Sequence, residues 1–216
     1  MDPKETGKNY DAMASWWLEQ MKESTYGVAA LECALRFVEN RQHALDIGCG
    51  CEGRFIRILQ ERGFHCTGLD ISEAMVALAA TRYPDADFSV GDMCIWPLPR
   101  KYDLITAWDS TFHLPLESHE PVLLKLCDGL SKNGVILFSC AVVKNGGTFK
   151  VNLVESDLNI ARWGFPSLSG SSGVLAVLFN ILNMTNTRRT MSILSPRRLS
   201  DDSRLVVECE PWPRKP

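Results

Sequence analysis

A short apolar run that ends in a carboxylate and then a cluster of glycines constrains this fold most. The segment is ALDIGCGCEGR, residues 44–54. Its apolar part is typical of a buried strand, and the glycines predict a tight turn into a helix. Because glycine has no Cβ, Gly48 and Gly50 can adopt positive φ and let a ligand approach the backbone closely. A helix that begins near Gly53 would point its free N–H groups and positive dipole end at the same crevice.

Strand and helix patterns alternate on both sides of this turn. Apolar runs predict strands over residues 43–47, 64–69, 87–90, 102–107 and 135–139. Helical periodicity predicts helices over residues 10–21, 28–38, 54–62, 72–82 and 117–130, with Ser72 as an N-cap and residues 1–9 loose. The alternation predicts an α/β fold, in which a doubly wound, mostly parallel sheet carries helices on both faces.

Carboxylates stand at the ends of the first two predicted strands. Asp46 lies two residues before Gly48, and Asp70 ends the second strand in the segment GLDIS. On doubly wound sheets, ligands bind beyond the carboxyl ends of the strands, where the winding reverses. A carboxylate at the second strand end can accept two hydrogen bonds from a ribose diol. Asp70 is therefore a candidate ribose ligand, and the alternative is a charge at the N-terminus of the next helix.

The glycine spacing leaves two classes of cofactor to compare. Gly48-x-Gly50-x-x-Gly53 also satisfies the fingerprint of dinucleotide-binding proteins. A nicotinamide dinucleotide would bring a pyrophosphate to this loop, where the Asp46 carboxylate would repel it. A ligand with a cationic ammonium and a sulfonium would be attracted instead. Asp46 therefore favours S-adenosylmethionine over NAD, and a glycine turn without a ligand is the third interpretation.

The third and fourth strand ends supply further candidates. Asp92 and Met93 follow the third strand, where a carboxylate can accept from an adenine amino group; an Asx-type turn is the alternative. Trp108 follows the fourth strand in the segment WDSTFH, and Asp109 can orient a substrate or cap the next segment. His113 is the candidate general base, because its ordinary pKa of about 6.5 suits proton removal at neutral pH. A surface-loop histidine is the other interpretation.

The segments ALDIGCG, GLDIS, VGDM and YDLITAWDSTFHL stand in the order and approximate spacing of class I S-adenosylmethionine-dependent methyltransferases of the small-molecule type. The chain resembles that family over about residues 8–140. The resemblance implies a seven-stranded sheet, a Rossmann-like methyltransferase fold and methyl transfer to a small molecule. The cofactor contacts that it implies are Tyr10 in the lid, Asp46, Gly48 and Gly50 at the methionine portion, Asp70 at the ribose, Ile71, Asp92 and Met93 at the adenine, and Trp108.

The sequence departs from that family at two places. Glu52 stands where relatives carry a small residue or glycine, and its side chain either tilts outward or crowds the methionine carboxylate. Residues 141–216 do not resemble the expected helix and antiparallel hairpin; loops, a short helix and a late strand at 204–209 are expected there. One domain is predicted, with lid helices at 1–40, a cofactor-binding core at 41–140 and an atypical C-terminal segment.

Composition narrows the class of partner. The formal net charge is −3 and the first two thirds of the chain carry no basic patch, so no nucleic-acid partner is expected. The N-terminus lacks a signal-peptide pattern and no apolar stretch reaches about 20 residues, which favours a cytoplasmic protein without membrane association. The eight cysteines include no C-x-x-C pair and no zinc spacing, so reduced, mostly buried thiols and no metal site are predicted.

Three functional hypotheses follow from these patterns. An active small-molecule methyltransferase is favoured by the motifs taken as a set. A domain that binds S-adenosylmethionine but acts through a partner is the second, because the C-terminal segment is atypical. An NAD-dependent oxidoreductase is the third, and both Asp46 and the lack of a recognisable hydride-transfer set disfavour it.

Overall fold

The computed structural model describes residues 3–143, 147–153, 156–164, 173–180 and 204–208, with side chains as far as Ser139 except that of Leu116. The helices are α1 (Pro3–Met21), α2 (Val28–Leu35), α3 (Arg54–Glu61), α4 (Glu73–Arg82) and α5 (Leu116–Asp128), with a short 3-10 helix at Thr111–His113. The strands are β1 (His43–Ile47), β2 (His65–Asp70), β3 (Asp87–Val90), β4 (Tyr102–Ala107), β5 (Leu130–Val143), β6 (Gly147–Leu153), β7 (Ser156–Gly164), β8 (Gly173–Asn180) and β9 (Arg204–Glu208). The predicted alternation of strand and helix is confirmed from β1 to β5.

The first five strands form a parallel sheet in the order β3-β2-β1-β4-β5. Leu45 of β1 lies between Thr67 of β2 and Ile105 of β4. The chain runs outward from β1 to β3 on one side and from β4 to β5 on the other. The winding therefore reverses between β1 and β4, which is where such sheets bind their ligands. The predicted doubly wound fold is confirmed.

Two hydrophobic layers cover the faces of this sheet. On one face, Leu104 of β4 belongs to a cluster with Leu31 of α2 and Ile56 of α3. On the other face, Ile105 packs in a cluster with Leu126 of α5. Successive strand residues point to opposite faces, and every residue of β4 is buried. The sheet is thus fixed from both sides, which holds the strand ends in place.

The N-terminal segment differs from the prediction, because residues 3–9 are helical rather than loose. Helix α1 begins at Pro3, whose fixed φ and missing N–H suit a first helical turn. Gly7 allows close packing: a Cβ there would lie 2.9 Å from the carbonyl oxygen of Ile71. The helix continues over these polar residues because it packs on the core, a contact that composition alone does not reveal.

The described parts of residues 141–216 form strands, whereas loops were predicted there. Strand β8 pairs antiparallel with β5, and β9 pairs antiparallel with β8. Strands β6 and β7 form an antiparallel pair, and the end of β7 lies parallel to the end of β5. The predicted late strand is confirmed as β9, and any short helix in this segment lies outside the described residues.

The cysteines whose side chains are described carry free thiols, as predicted, and three of the six are buried. Burial raises the pKa of Cys51 to about 11 and that of Cys66 to about 12, so these thiols stay protonated at neutral pH. Among the described helices, none combines the length and the apolar character that a membrane crossing requires.

Candidate active site

A cavity lies at the carboxyl ends of β1, β2, β3 and β4, and α1 covers it. The nine predicted cofactor contacts and the candidate general base all line this cavity: Tyr10, Asp46, Gly48, Gly50, Asp70, Ile71, Asp92, Met93, Trp108 and His113. They come from α1, from four strand ends and from the 3-10 helix. The fold therefore gathers them at one place, at the point where the winding of the sheet reverses.

The glycine turn after β1 forms the floor of the cavity. Gly48 and Gly50 have φ angles of 68° and 61°, which favour glycine. The N–H of Gly48 donates to the carbonyl oxygen of Leu69 at 2.7 Å, which ties the turn to β2. A Cβ at Gly48 would lie 2.3 Å from Cβ of Ser110, whereas one at Gly50 would meet no atom within 4 Å. Gly48 is thus required by packing, and Gly50 leaves open space beside the backbone.

Asp46 is a buried carboxylate at the end of β1. Its Oδ1 accepts a hydrogen bond of 2.6 Å from the Thr106 hydroxyl of β4. Burial raises the pKa of Asp46 to about 7, although the Thr106 hydrogen bond and the charge of Arg54 oppose the rise. A cation beside Asp46 would favour its ionised form, so the group is suited to hold an ammonium or a sulfonium.

Asp70 serves the fold and faces the cavity at once. Its Oδ2 accepts from the N–H of Gly50 at 2.9 Å, and its Oδ1 accepts from the N–H of Ser72 at 3.0 Å. Burial raises its pKa, and these backbone hydrogen bonds oppose the rise. A carboxylate offers about four lone-pair sites, and the backbone hydrogen bonds from Gly50, Ser72 and Ile71 leave part of this capacity for a ligand. Asp70 therefore lies near the start of α4, as the alternative interpretation of the sequence predicted, and it also lines the cavity.

Asp92 also combines both interpretations of its sequence context. Its Oδ1 accepts a hydrogen bond of 2.8 Å from the N–H of Cys94, which is the expected Asx-type turn. The same residue lines the cavity together with Met93. The turn therefore fixes the carboxylate at the end of β3 without removing it from the cavity.

Side-chain contacts hold α1 over the cavity. The Tyr10 hydroxyl lies 2.8 Å from Nε2 of His113, within hydrogen-bond distance. At the next residue of α1, Oδ1 of Asp11 accepts from the Ser72 hydroxyl at 2.6 Å and from the N–H of Ala74 at 3.0 Å. Burial of the Tyr10 hydroxyl raises its pKa, so the phenol stays neutral. These contacts place Tyr10 as the covering residue at the His113 end of the cavity.

The sequence predicted Arg54 only as the first residue of a helix, whereas in the structure this residue also lines the cavity. Among the described lining residues it is the sole Arg or Lys. Its Nη1 donates to Oε2 of Glu52 at 2.8 Å, and its Nε is buried with no hydrogen-bond partner among the described residues. Glu52 is buried at the cavity wall, so the outward orientation considered for it is wrong. The signal in the sequence was a cation at the positive end of a helix, which is unfavourable unless something compensates it.

Asp109, just after β4, is a cavity-lining residue with a strained backbone. Its φ is 53°, and its N–H donates to Oγ of Ser139 at 2.7 Å. The Ser139 hydroxyl in turn donates to Oδ1 of Asp109 at 3.0 Å. A positive φ in a non-glycine residue costs about 1–3 kcal/mol, so this backbone conformation persists because β5 supplies both hydrogen bonds. Burial raises the pKa of Asp109 to about 6.

Two more buried polar atoms belong to cavity-lining residues. The Trp108 ring packs on Tyr26 and Phe55, with ring centroids 5.7 Å and 6.0 Å away. Its Nε1 and the hydroxyl of Ser110 are buried with no hydrogen-bond partner among the described residues. Buried polar atoms in native proteins are normally paired, so a ligand is one source of the missing partners.

The charges of the cavity wall suit a cationic ligand. The described lining contains one Lys or Arg side chain, that of Arg54. Its acidic side chains include those of Asp46, Asp70, Asp92 and Asp109. S-adenosylmethionine carries an ammonium and a sulfonium against one carboxylate, so it fits this excess of acid. A pyrophosphate, with two negative charges near Asp46, does not. The residues present therefore fit the cofactor that the motifs predicted.

Residues 44–134 match the family model described as a methyltransferase domain. This central part of the chain is thus similar to methyltransferase domains. It is 23% identical to a ubiquinone biosynthesis O-methyltransferase of Coxiella burnetii over 167 residues, which are 73% of this chain and 69% of that protein. A trans-aconitate 2-methyltransferase of Escherichia coli is 35% identical over 101 residues, 46% of this chain and 39% of that protein.

Solved structures show the same fold. A complex of DhpI with SAM and HEP has a TM-score of 0.59 at 19% identity and covers 74% of this chain and 81% of that one. A TehB-like SAM-dependent methyltransferase from Corynebacterium glutamicum has a TM-score of 0.50 at 22% identity, with coverage of 72% and 96%. The predicted Rossmann-like methyltransferase fold and the resemblance to S-adenosylmethionine-dependent methyltransferases are confirmed. Together with the matched family model, these relatives support an S-adenosylmethionine-dependent methyltransferase.

Proposed function

We propose that this methyltransferase domain transfers a methyl group from S-adenosylmethionine to a small-molecule acceptor in the cytoplasm, with no nucleic-acid or membrane partner. The observation that carries the proposal is the acid-lined cavity at the reversal of the sheet, with an open backbone position at Gly50. Relatives named for ubiquinone biosynthesis and for trans-aconitate support an acceptor of small size. The proposed unit is one domain over residues 1–216, with a lid at 1–40, a core at 41–140 and a C-terminal segment.

The proposed cofactor contacts follow the order of the strand ends. Asp46, Gly48 and Gly50 take the methionine portion, Asp70 the ribose, and Ile71, Asp92 and Met93 the adenine, while Tyr10 and Trp108 cover the cofactor. The charge of Asp46 would meet the ammonium, because burial makes this carboxylate costly to ionise without a cation nearby. The lone pairs of Asp70 that the backbone leaves over would accept from the ribose hydroxyls.

S-adenosylmethionine supplies a methyl group that its sulfonium already activates, so the protein needs mainly to orient the acceptor and exclude water. Helix α1 covers the cavity and provides that exclusion. His113 is the proposed catalytic residue, as a base that takes the acceptor's proton at Nε2. Because the Tyr10 hydroxyl contacts that nitrogen at 2.8 Å, proton uptake there requires the contact to open.

Calorimetric titration with S-adenosylmethionine, S-adenosylhomocysteine and NAD in parallel tests the cofactor. We expect micromolar binding of the first two and none of NAD. Binding of NAD alone would overturn the proposal in favour of the oxidoreductase. Formation of S-adenosylhomocysteine is then followed by mass spectrometry with a panel of small hydroxyl, carboxyl and amine compounds that includes trans-aconitate. Turnover of a panel member supports the enzyme, and cofactor binding without any turnover favours a domain that acts through a partner.

A further inference from the structure

The placement of Arg54 is unusual for a residue that only begins a helix. It occupies the first position of α3, where the helix dipole is positive and disfavours a cation. Its side chain is 15% exposed and lies at the cavity wall, among several acids. Burial of a guanidinium is costly unless its donors are paired. The position therefore calls for acceptors beyond those that the helix provides.

Glu52 accepts a hydrogen bond from one nitrogen of the guanidinium, and another nitrogen has no acceptor among the described residues. Oε2 of Glu52 accepts from Nη1 of Arg54 at 2.8 Å, and the Glu52 side chain is 11% exposed. The Nε of Arg54, which can only donate, is buried with no hydrogen-bond partner among the described residues. The ion pair thus holds the orientation of the guanidinium, while one buried N–H of this cavity-lining residue lacks an acceptor among the described residues. A carboxylate oxygen is the acceptor that an arginine N–H binds most strongly.

We propose that Nε of Arg54 binds the carboxylate of the methionine portion of S-adenosylmethionine, and that Glu52 positions the guanidinium through Nη1. The inference rests on the proposed function and names the anion-binding group of its cofactor site. In this proposal Glu52 orients Arg54 towards the carboxylate, although the negative charge of Glu52 lowers the affinity for that carboxylate.

The neighbourhood of Asp46 explains why the ligand group is the cofactor's carboxylate. The ammonium and the carboxylate of methionine are attached to the same carbon, so their binding groups on the protein must be neighbours. Asp46 is the proposed partner of the ammonium, and the charge of Arg54 is close enough to lower the pKa of Asp46 against the effect of burial. Asp46 and Arg54 thus supply an anionic and a cationic group to the lining of one cavity, which matches an amino acid zwitterion.

A matched pair of ligands isolates this contact. Decarboxylated S-adenosylmethionine keeps the ammonium and the sulfonium but lacks the carboxylate. Both ligands are titrated calorimetrically into the wild type and into Arg54→Met, Arg54→Lys and Arg57→Met. Arg57 lies on the same helix and pairs with Glu61 on the surface, so its variant controls for loss of a helix charge. Thermal unfolding establishes that each variant is folded, and Arg54→Lys serves as the test if Arg54→Met is not.

We expect Arg54→Met to weaken S-adenosylmethionine binding about 10- to 100-fold, which is typical for loss of a charged hydrogen bond. Its affinity for the decarboxylated ligand should change much less, since only the effect of Arg54 on the pKa of Asp46 is then lost. Arg54→Lys should lie between for S-adenosylmethionine, because lysine keeps the charge without the Nε donor. Arg57→Met should match the wild type for both ligands.

Equal weakening of both ligands by the Arg54 variants, or no weakening of either, would overturn the assignment while leaving the cofactor site intact. Failure of the wild type to bind either ligand is a different result. It would overturn the proposed function, and the carboxylate site with it.

Discussion

The cavity has one wall made of strand ends and another made of helix α1, and different interactions hold the two. Backbone hydrogen bonds and two hydrophobic layers fix the strand ends, so that the turn at Gly48 is tied directly to β2. Helix α1 depends more on side chains, with Tyr10 on His113 and Asp11 at the start of α4. A net contribution of about 1 kcal/mol per hydrogen bond makes such contacts easier to open than a sheet.

The difference indicates separate tasks for the two walls. The strand-end wall is preorganised, so it should set the affinity for the cofactor. The α1 wall can separate at low cost, so it should set the rates at which ligands enter and leave. Variants of the first wall should therefore change affinity most, and variants of the second should change rates.

Loss of the ribose carboxylate should have the largest effect. Asp70→Ala removes a charged acceptor and also the acceptor for the Gly50 and Ser72 N–H groups. We expect S-adenosylhomocysteine to bind about 100-fold more weakly or worse, measured by calorimetry. The exposed Asp85→Ala should leave the affinity unchanged. Wild-type affinity in Asp70→Ala would show that the strand-end wall does not hold the ribose.

Two glycines with positive φ and free space around Cβ separate strain from ligand contact. Gly50 has a φ of 61° and lines the cavity, whereas Gly63 has a φ of 89° beyond the end of α3. Alanine at either site should lower the free energy of unfolding by about 1 kcal/mol, measured by urea denaturation. Only Gly50→Ala should also weaken cofactor binding, by roughly 30-fold, because its methyl group enters the ligand's space. Equal affinity in both variants would contradict that placement of the cofactor.

The raised pKa of Asp46 predicts opposite pH dependences of stability and affinity. Its pKa in the folded protein, about 7, exceeds the ordinary 3.8, so the folded state binds an additional proton between these values. Its stabilisation is fully present below about pH 4 and is lost as the pH rises through 7. Binding of a cationic cofactor needs the ionised form, so affinity should rise by up to about tenfold per pH unit below 7 and then level off.

Asp46→Asn keeps an oxygen for the Thr106 hydroxyl but removes the titration. Unfolding temperatures and S-adenosylmethionine affinities between pH 5.5 and 8 should then lose the dependence centred near pH 7. Asp109, with a pKa of about 6, and Asp70 and Glu52, whose pKa values burial also raises, are expected to cause the remaining change at lower pH. A full dependence near pH 7 in Asp46→Asn would assign it to another group.

The contact between α1 and the 3-10 helix should act on rates. Tyr10→Phe removes the hydroxyl that lies 2.8 Å from His113 Nε2. We expect S-adenosylhomocysteine to dissociate about fivefold faster in stopped-flow measurements, which corresponds to about 1 kcal/mol. His113→Gln should have a similar effect on dissociation, and the double variant should add little because the two residues share one contact. Additive effects would mean that Tyr10 and His113 act independently on the ligand.

The smallest expected effect is a gain. Glu52→Gln keeps an oxygen that can accept from Nη1 of Arg54 and removes a negative charge near the proposed carboxylate site. S-adenosylmethionine should bind about two- to threefold more tightly, a small gain because the ion pair with Arg54 already offsets much of the Glu52 charge. The decarboxylated ligand should gain nothing. Weaker binding of S-adenosylmethionine would show that the charge of Glu52 itself is needed to hold Arg54.

Prediction of the fold succeeded where local patterns and packing agree. The apolar run at 102–107 is a strand buried on both faces, and Ser72 caps α4 by accepting from the N–H of Met75. It failed at residues 3–9, whose polar composition conceals the packing of Gly7 on Ile71. Strands β6, β7 and β8 were also missed, because pairing between distant segments leaves little signal in local composition.

Prediction of the site followed the same division. Asp46 and Asp70 were recognised because glycine spacing and strand ends locate them along the chain. Arg54 and its pair with Glu52 were missed, since a residue at a helix start gives no indication of which of its N–H groups lack partners. The two hydrogen bonds between Asp109 and Ser139 were missed as well, because they join the end of β4 to the middle of β5, which is far away in the sequence.

The sequence by itself determined the α/β class and the order along the chain of the strands and helices up to β5. It also determined which candidate residues stand at strand ends. These features depend on hydrophobic periodicity and on glycine chemistry, which are local. The tertiary structure decided that α1 covers the cavity, that Asp92 is both a turn residue and a wall residue, and that Arg54 faces acids. Those outcomes depend on burial and on distances between segments far apart in the chain, and these quantities exist only once the sheet has assembled.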